Sequence, residues 1–220
     1  MGLHATRHDH TTGHTGHGGE RLFHHPLVFE LAAETLFAGR RREMYLRLAT
    51  LSGVRPGRRV LDVGCGTGYL SRILAAVAGP EGHVTGVDPS PDMIGRARRQ
   101  APANCAYLVG EGQSLELPDE SFDVVVSSLA LHHVPQEHRP AVVAEMFRVL
   151  RPGGRLLIAE YRPPASPLLA RLVNLIGSPA LREDTRRMLA ELVPQAGFQV
   201  EETGELPVAL HYVRATRPAA

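Results

Sequence analysis

A glycine-rich turn directly after an apolar run constrains the fold of this chain more than any other feature. The stretch LDVGCGTGYL (61–70) carries Gly64, Gly66 and Gly68 between a predicted buried strand and a predicted helix whose apolar stripe begins at Tyr69. Glycines at these positions leave backbone N–H groups accessible and let a ligand approach without a Cβ in the way. The turn therefore predicts an α/β domain that binds its ligand where the first strand ends.

Short β-branched runs alternate with helical patterns along most of the chain. Predicted strands cover 58–64, 83–88, 105–110, 122–128 and 155–161, with helices between them. This alternation predicts an α/β fold with a Rossmann-like, mostly parallel seven-stranded sheet and helices on both faces. The last two strands are the runs FQVEETGEL and VALHYVRAT, which stand too close together for a helical crossover. We therefore expect an antiparallel C-terminal strand.

Composition divides the chain into three parts. Residues 1–20 are rich in His, Gly and Thr and have almost nothing apolar, so we expect a disordered tail. Residues 21–55 show helical spacing of apolar side chains and predict a helical cap, in which Gly53 ends the second helix. Residues 56–220 form the α/β domain, with a proline-broken insert at about 162–181 that we expect to act as a lid.

Charge and cysteine content exclude several classes of protein. The formal net charge of +1 gives no reason to expect a nucleic-acid partner, and the basic triplet Arg40–Arg42 is interpreted as a solvated helix face. Two cysteines, Cys65 and Cys105, predict neither a disulfide framework nor a zinc site. No apolar run is long enough for a membrane span, and we expect a cytoplasmic protein. The oligomeric state stays open.

An acidic residue at the end of the second strand points to a nucleoside. Asp88 lies twenty residues beyond Gly68, where a carboxylate can accept hydrogen bonds from a ribose diol. The dinucleotide pattern GxGxxG is not matched, because Tyr69 occupies the place of its third glycine. A Walker motif is excluded as well, since no Gly-Lys-Ser/Thr follows the turn.

Four blocks in order resemble one enzyme superfamily. VLDVGCGTGYLS, VTGVDPSPDMI, GEGQSLELPDESFDVVVSSLALHHV and EMFRVLRPGGRLLIAEY are similar to the class I S-adenosylmethionine-dependent methyltransferases, over about 58–161. Within that superfamily the chain looks like the small-molecule branch that includes the ubiquinone and menaquinone biosynthesis methyltransferases. The resemblance implies S-adenosyl-L-methionine as cofactor, S-adenosyl-L-homocysteine as product, a small-molecule acceptor, and an in-line displacement that methylates O, C or N.

The resemblance also implies where the cofactor binds. The residues expected around its aminoacid end are Asp62, Gly64, Cys65, Gly66 and Gly68, together with Ser128 and Leu129 after the fourth strand. Asp88 is expected to hold the ribose, and Pro89 and Met93 to line the adenine. The resemblance implies that the turn after the third strand binds the adenine. The family has Gly-Asp-Ala in this turn, whereas this chain has Gly110, Glu111 and Gly112.

Two adjacent histidines are the candidate catalytic residues. His132 and His133 follow the fourth strand on the expected reaction face, and an imidazole can accept a proton near neutral pH. Periodicity does not choose between them, and one of them could instead pack or cap the next helix. Glu160 and Tyr161 at the end of the fifth strand are second candidates.

Three other functions remain open from the sequence. The altered adenine turn is compatible with a module that binds S-adenosylmethionine without transferring methyl. The strand, glycine turn and Asp88 are compatible with a nicotinamide-dependent oxidoreductase. The histidines of the tail could chelate a transition metal, but their irregular spacing predicts no metal site.

Overall fold

A computed structural model describes residues 34, 37, 39–162, 185–207 and 209–219. Within them seven strands form one sheet: β1 (Arg59–Val63), β2 (His83–Asp88), β3 (Cys105–Val109), β4 (Phe122–Ser128), β5 (Leu150–Tyr161), β6 (Gln199–Leu206) and β7 (Leu210–Thr216). The strand order is β3-β2-β1-β4-β5-β7-β6. Neighbours from β3 to β5 are parallel, whereas β7 is antiparallel to both β5 and β6. The predicted sheet is confirmed.

Five α-helices and two short 3-10 helices (Leu131–His133 and Gln136–His138) accompany the strands in the part of the chain that the structure describes. The α-helices are α1 (Arg41–Ser52), α2 (Tyr69–Ala78), α3 (Pro91–Arg99), α4 (Arg139–Val149) and α5 (Thr185–Gln195). Ser90 caps α3, since its Oγ accepts a hydrogen bond from the Met93 N–H at 3.4 Å and proline follows it. Gly53 ends α1 with a φ of +69°, as predicted. None of the described helices is long and apolar enough to cross a membrane.

The alternation of apolar residues along the strands builds two core layers. Val60 and Leu157 face α1 and α2, and they pack with Met44, Leu48 and Leu74. Their chain neighbours Leu61 and Ile158 face the opposite side, where they pack with apolar side chains of α4 and α5. Both faces of the sheet are therefore covered, and its carboxyl edge is the place for a site.

The start of β5 differs most from the prediction. β5 begins at Leu150 instead of Arg155, because Leu150 pairs with Phe122 and the backbones of Gly153 and Gly154 exchange hydrogen bonds with Arg217. Residues 150–154, which precede the predicted strand, thus belong to β5.

Several expectations lie outside the described residues. These are the tail at 1–20, most of the cap before Gly39, and the insert after Arg162. Of the cap side chains that the structure describes, Phe37 is 1% exposed and belongs to the core on the α1 side of the sheet.

Candidate active site

The glycine turn after β1 is shaped by the protein's own packing. Gly64, Gly66 and Gly68 have φ values of +74°, +52° and +73°, which favour glycine. A Cβ on Gly64 would lie 2.2 Å from the Ala130 Cβ, and one on Gly68 would lie 2.5 Å from the Tyr107 Oη. The bare backbone that the sequence assigned to a ligand is therefore also required by close contacts within the chain.

Asp88 ties the turn to the end of β2. Its Oδ2 accepts the Gly66 N–H at 2.9 Å, and its Oδ1 accepts the Ser90 N–H at 2.9 Å. Each carboxylate oxygen has a second lone pair, so the same group can still accept hydrogen bonds from a diol. This geometry fits the predicted ribose role, and it adds a second role that the sequence did not indicate, that of holding the turn.

Asp62, just before the turn, and Cys65, within it, are both buried. Asp62 is 1% exposed, and its Oδ2 accepts a 2.6 Å hydrogen bond from the Ser71 hydroxyl. Burial raises the pKa of the Asp62 carboxyl to about 7. Cys65 packs with Ile94 and Tyr107, and burial raises the pKa of its thiol well above the ordinary value. The thiol is therefore poorly suited to act as a nucleophile.

The pKa of Asp62 leads to a prediction about stability. Between the ordinary carboxyl pKa of about 4 and the folded value of about 7, the folded chain holds a proton that the unfolded chain has released. Stability must then fall as pH rises through this window, by at most about 1.4 kcal/mol per pH unit from this one group. Asp62→Asn, which can still accept the Ser71 hydrogen bond, is expected to remove that part of the fall.

Urea denaturation of the ligand-free protein at about pH 5, 6.5 and 8 measures the effect. The free energy of unfolding of Asp62→Asn should increase with pH relative to that of the unmodified protein. Asp92→Asn, an exposed change at the start of α3, is the control and should leave the difference constant. Parallel profiles for the unmodified protein and Asp62→Asn would contradict the raised pKa.

The predicted adenine residues converge near Asp88. The Gly110 N–H donates to the Asp88 carbonyl at 3.1 Å, which brings the turn after β3 beside the end of β2. Glu111 is exposed, while Gly112 fits so closely that a Cβ would lie 3.3 Å from methyl groups of Val63 and Val142. Pro89 is exposed and Met93 is 7% exposed. These residues line the same edge of the sheet, as predicted, although their contact with adenine stays a prediction.

The segment after β4 is strained. Leu129 has a φ of +56°, a conformation that costs a non-glycine residue about 1–3 kcal/mol, and its N–H donates to the Ala159 carbonyl at 2.8 Å. The neighbouring Ser128 is half-buried at the end of β4. Ser127 Oγ and Thr67 Oγ1 are buried without a hydrogen-bond partner in the described part of the chain. Unsatisfied buried polar atoms at this edge fit a polar ligand such as an aminoacid group.

A buried histidine and glutamate pair follows Leu129. Glu160 is fully buried, and its Oε1 accepts the N–H groups of Ala130 at 3.1 Å and Leu131 at 2.8 Å. Its Oε2 lies 2.6 Å from Nδ1 of His132, which is 8% exposed. His133 is exposed, with its ring centroid 4.0 Å from that of His132. The structure therefore separates two histidines that the sequence left equivalent, and it makes Glu160 the partner of His132.

The topology and the site together define a class of protein. A sheet in this order, with a glycine turn tied to an acid at the end of the neighbouring strand, has the Rossmann-like fold of the class I methyltransferases. Residues 60–154 match the family described as "Methyltransferase domain". Residues 60–154 thus form a methyltransferase domain, and the similarity of the chain to S-adenosylmethionine-dependent methyltransferases indicates S-adenosylmethionine as its cofactor.

Known proteins share part of this sequence or its fold. The ubiquinone/menaquinone biosynthesis C-methyltransferase UbiE of Ectopseudomonas mendocina is 38% identical over 151 residues, which cover 66% of this chain and 58% of that protein. The chain therefore spans less than two thirds of that relative. A crystal structure of a methyltransferase from Aquifex aeolicus has a TM-score of 0.66 at 21% identity, over 78% of this chain and 88% of that one. The cyclase SpnF has a TM-score of 0.66 at 20% identity, over 81% of both chains.

Proposed function

We propose that this protein transfers a methyl group from S-adenosylmethionine to a small-molecule acceptor, and that His132 is the general base. The observation that carries the proposal is the buried pair of His132 and Glu160, which lies at the carboxyl edge of the sheet beside the glycine turn. When bound, S-adenosylmethionine supplies an electrophilic methyl group on a sulfonium centre. The residues of the chain then have to bind, orient and deprotonate the acceptor and keep water out.

The hydrogen bonds of Glu160 decide how His132 works. Because both Oε1 contacts are backbone N–H groups, the carboxylate is fixed and Oε2 accepts from the His132 Nδ1–H. This tautomer leaves Nε2 as the proton acceptor, and the carboxylate stabilises the imidazolium that forms. A base of this kind is needed when the acceptor is a hydroxyl or a carbon acid. The pair therefore favours O- or C-methylation over methylation of a neutral amine.

Cofactor binding in this proposal uses the residues around the glycine turn. Asp88 accepts from the ribose hydroxyls, and Glu111 with the Gly112 N–H faces the adenine. Asp62, Thr67 and Ser127 surround the aminoacid end, and the hydroxyls of Thr67 and Ser127 are buried without a partner among the described residues. The cap at 21–55 and the insert at 162–181 select the acceptor.

The acceptor is proposed only as a class. UbiE is named for ubiquinone and menaquinone biosynthesis, but this chain spans only 58% of the length of that protein, so its acceptor is not carried over. An acidic hydroxyl or an activated carbon fits the pair without further assumption. Two free cysteines suit a reducing compartment, so we propose the cytoplasm as the place of action.

Calorimetric titration tests the cofactor half of the proposal. S-adenosylhomocysteine should bind, NADH should not, and Glu160→Gln should leave the affinity for S-adenosylhomocysteine within about threefold, because Glu160 contacts His132 and backbone of its own chain. Binding of NADH instead would favour the oxidoreductase. Binding of neither ligand would contradict the proposal.

A further inference from the structure

Arg41 is buried beside the glycine turn. It is the first residue of α1 and is 3% exposed. Its guanidinium carbon lies 4.0 Å from the centroid of the Tyr69 ring, and Tyr69 directly follows Gly68. Such stacking on an aromatic face stabilises a cation, but it provides no hydrogen-bond acceptor. A buried cation thus lies over the residue that begins α2.

The charge of Arg41 is only partly compensated. Nη1 lies 3.3 Å from Oε1 of Glu34, a side chain that is 48% exposed. Nε is buried and has no hydrogen-bond partner in the described part of the chain. Buried charges are normally paired and fully hydrogen-bonded, because desolvating them is costly. A guanidinium with five N–H donors, one long contact with a half-exposed carboxylate and a hydrogen bond with the Tyr45 phenol can still take another anion.

Tyr45 places this cation at the candidate site. Its ring centroid lies 5.2 Å from that of Tyr69, one helical turn beyond Arg41. Burial raises the pKa of the Tyr45 phenol, while the charge of Arg41 lowers it and the charge of Asp62 raises it. The phenol is therefore close enough to the guanidinium of Arg41 and to the carboxyl of Asp62, which lies in β1 just before the glycine turn, for both charges to act on it.

We propose that the guanidinium of Arg41 binds the α-carboxylate at the aminoacid end of the cofactor. This inference rests on the proposed function. A planar fork of N–H donors matches a carboxylate in two parallel hydrogen bonds, and such bonds strengthen where water is excluded. The neutral hydroxyls around the same end, Thr67 and Ser127, cannot supply that charge.

Two ligands that differ at the carboxylate test the role of Arg41. S-adenosylhomocysteine carries the aminoacid group, whereas 5′-methylthioadenosine keeps the adenine, ribose and sulfur and lacks it. Arg41→Met should weaken binding of S-adenosylhomocysteine by about 10- to 100-fold and change binding of methylthioadenosine by less than about threefold. Arg47→Met, which removes an exposed arginine from the same helix, should change neither.

The outcomes separate the inference from the function on which it rests. Equal losses for both ligands with Arg41→Met would show that Arg41 only supports the fold, and would overturn the inference while the cofactor assignment stands. If the unmodified protein binds neither ligand, both fail. If Arg41→Met does not fold, Arg41→Lys is the second variant, because it keeps the charge without the planar fork of donors. It should lower the affinity for S-adenosylhomocysteine by about 3- to 10-fold and leave that for methylthioadenosine unchanged. No loss with Arg41→Lys in that case also overturns the inference.

Discussion

Glu160→Gln is expected to lower kcat by about 10²- to 10⁴-fold while the protein stays folded. The glutamine carbonyl can still accept the N–H groups of Ala130 and Leu131, so the segment keeps its position. Its amide N–H₂ then faces the His132 Nδ1, which has to become the acceptor. The proton moves to Nε2, and the imidazole can no longer deprotonate an acceptor there.

His132→Ala should lower kcat by a similar factor, because His132 and Glu160 act as a unit. His138→Ala removes an exposed histidine from the following short helix and should leave kcat within about twofold. For His133→Ala we expect less than a tenfold decrease. Turnover with the natural acceptor, or with the best surrogate found, measures all four variants. Full activity of both Glu160→Gln and His132→Ala would contradict the assignment of the base.

Asp88→Ala is expected to weaken binding of S-adenosylhomocysteine by about 1–3 kcal/mol, or about 5- to 150-fold. Two effects combine. The ribose loses a charged acceptor, and the N–H groups of Gly66 and Ser90 lose the carboxylate that connects the turn to α3. Because both effects concern the nucleoside, the affinity for methylthioadenosine should fall by a similar factor. This contrasts with the result expected for Arg41→Met.

Calorimetry with both ligands checks the Asp88 prediction, with Asp92→Ala as the control. Asp92 lies four residues further along, at the exposed start of α3, and its removal should change affinity by less than about twofold. An unchanged affinity of Asp88→Ala would mean that the ribose binds elsewhere.

The sequence predicted the framework of the site because local signals fix it. The glycine turn, the cap at Ser90 and Pro91, and the acid at Asp88 are each encoded within a few residues, and the strand alternation sets the sheet. All of them lie at the carboxyl edge as predicted. The family resemblance added which part of a nucleoside each residue faces, and this stays a proposal.

The parts that the sequence missed depend on contacts between distant segments. His132 and His133 are neighbours in the chain, and only the strained backbone at Leu129 and the buried carboxylate of Glu160 distinguish them. Arg41 stands in a basic triplet that reads as a solvated face, yet its packing on Tyr69 buries it. An arginine within a run of basic residues gives no local signal of such a contact.

The most direct test of the account is transfer of a labelled methyl group from S-adenosylmethionine to a fractionated pool of small molecules. The unmodified protein should place label in a discrete small-molecule product and release S-adenosylhomocysteine in equal amount. Glu160→Gln should bind S-adenosylhomocysteine normally and give at most about one hundredth of that label. Tight cofactor binding by the unmodified protein without transfer to any fraction would contradict the account and leave a module that binds the cofactor without using it.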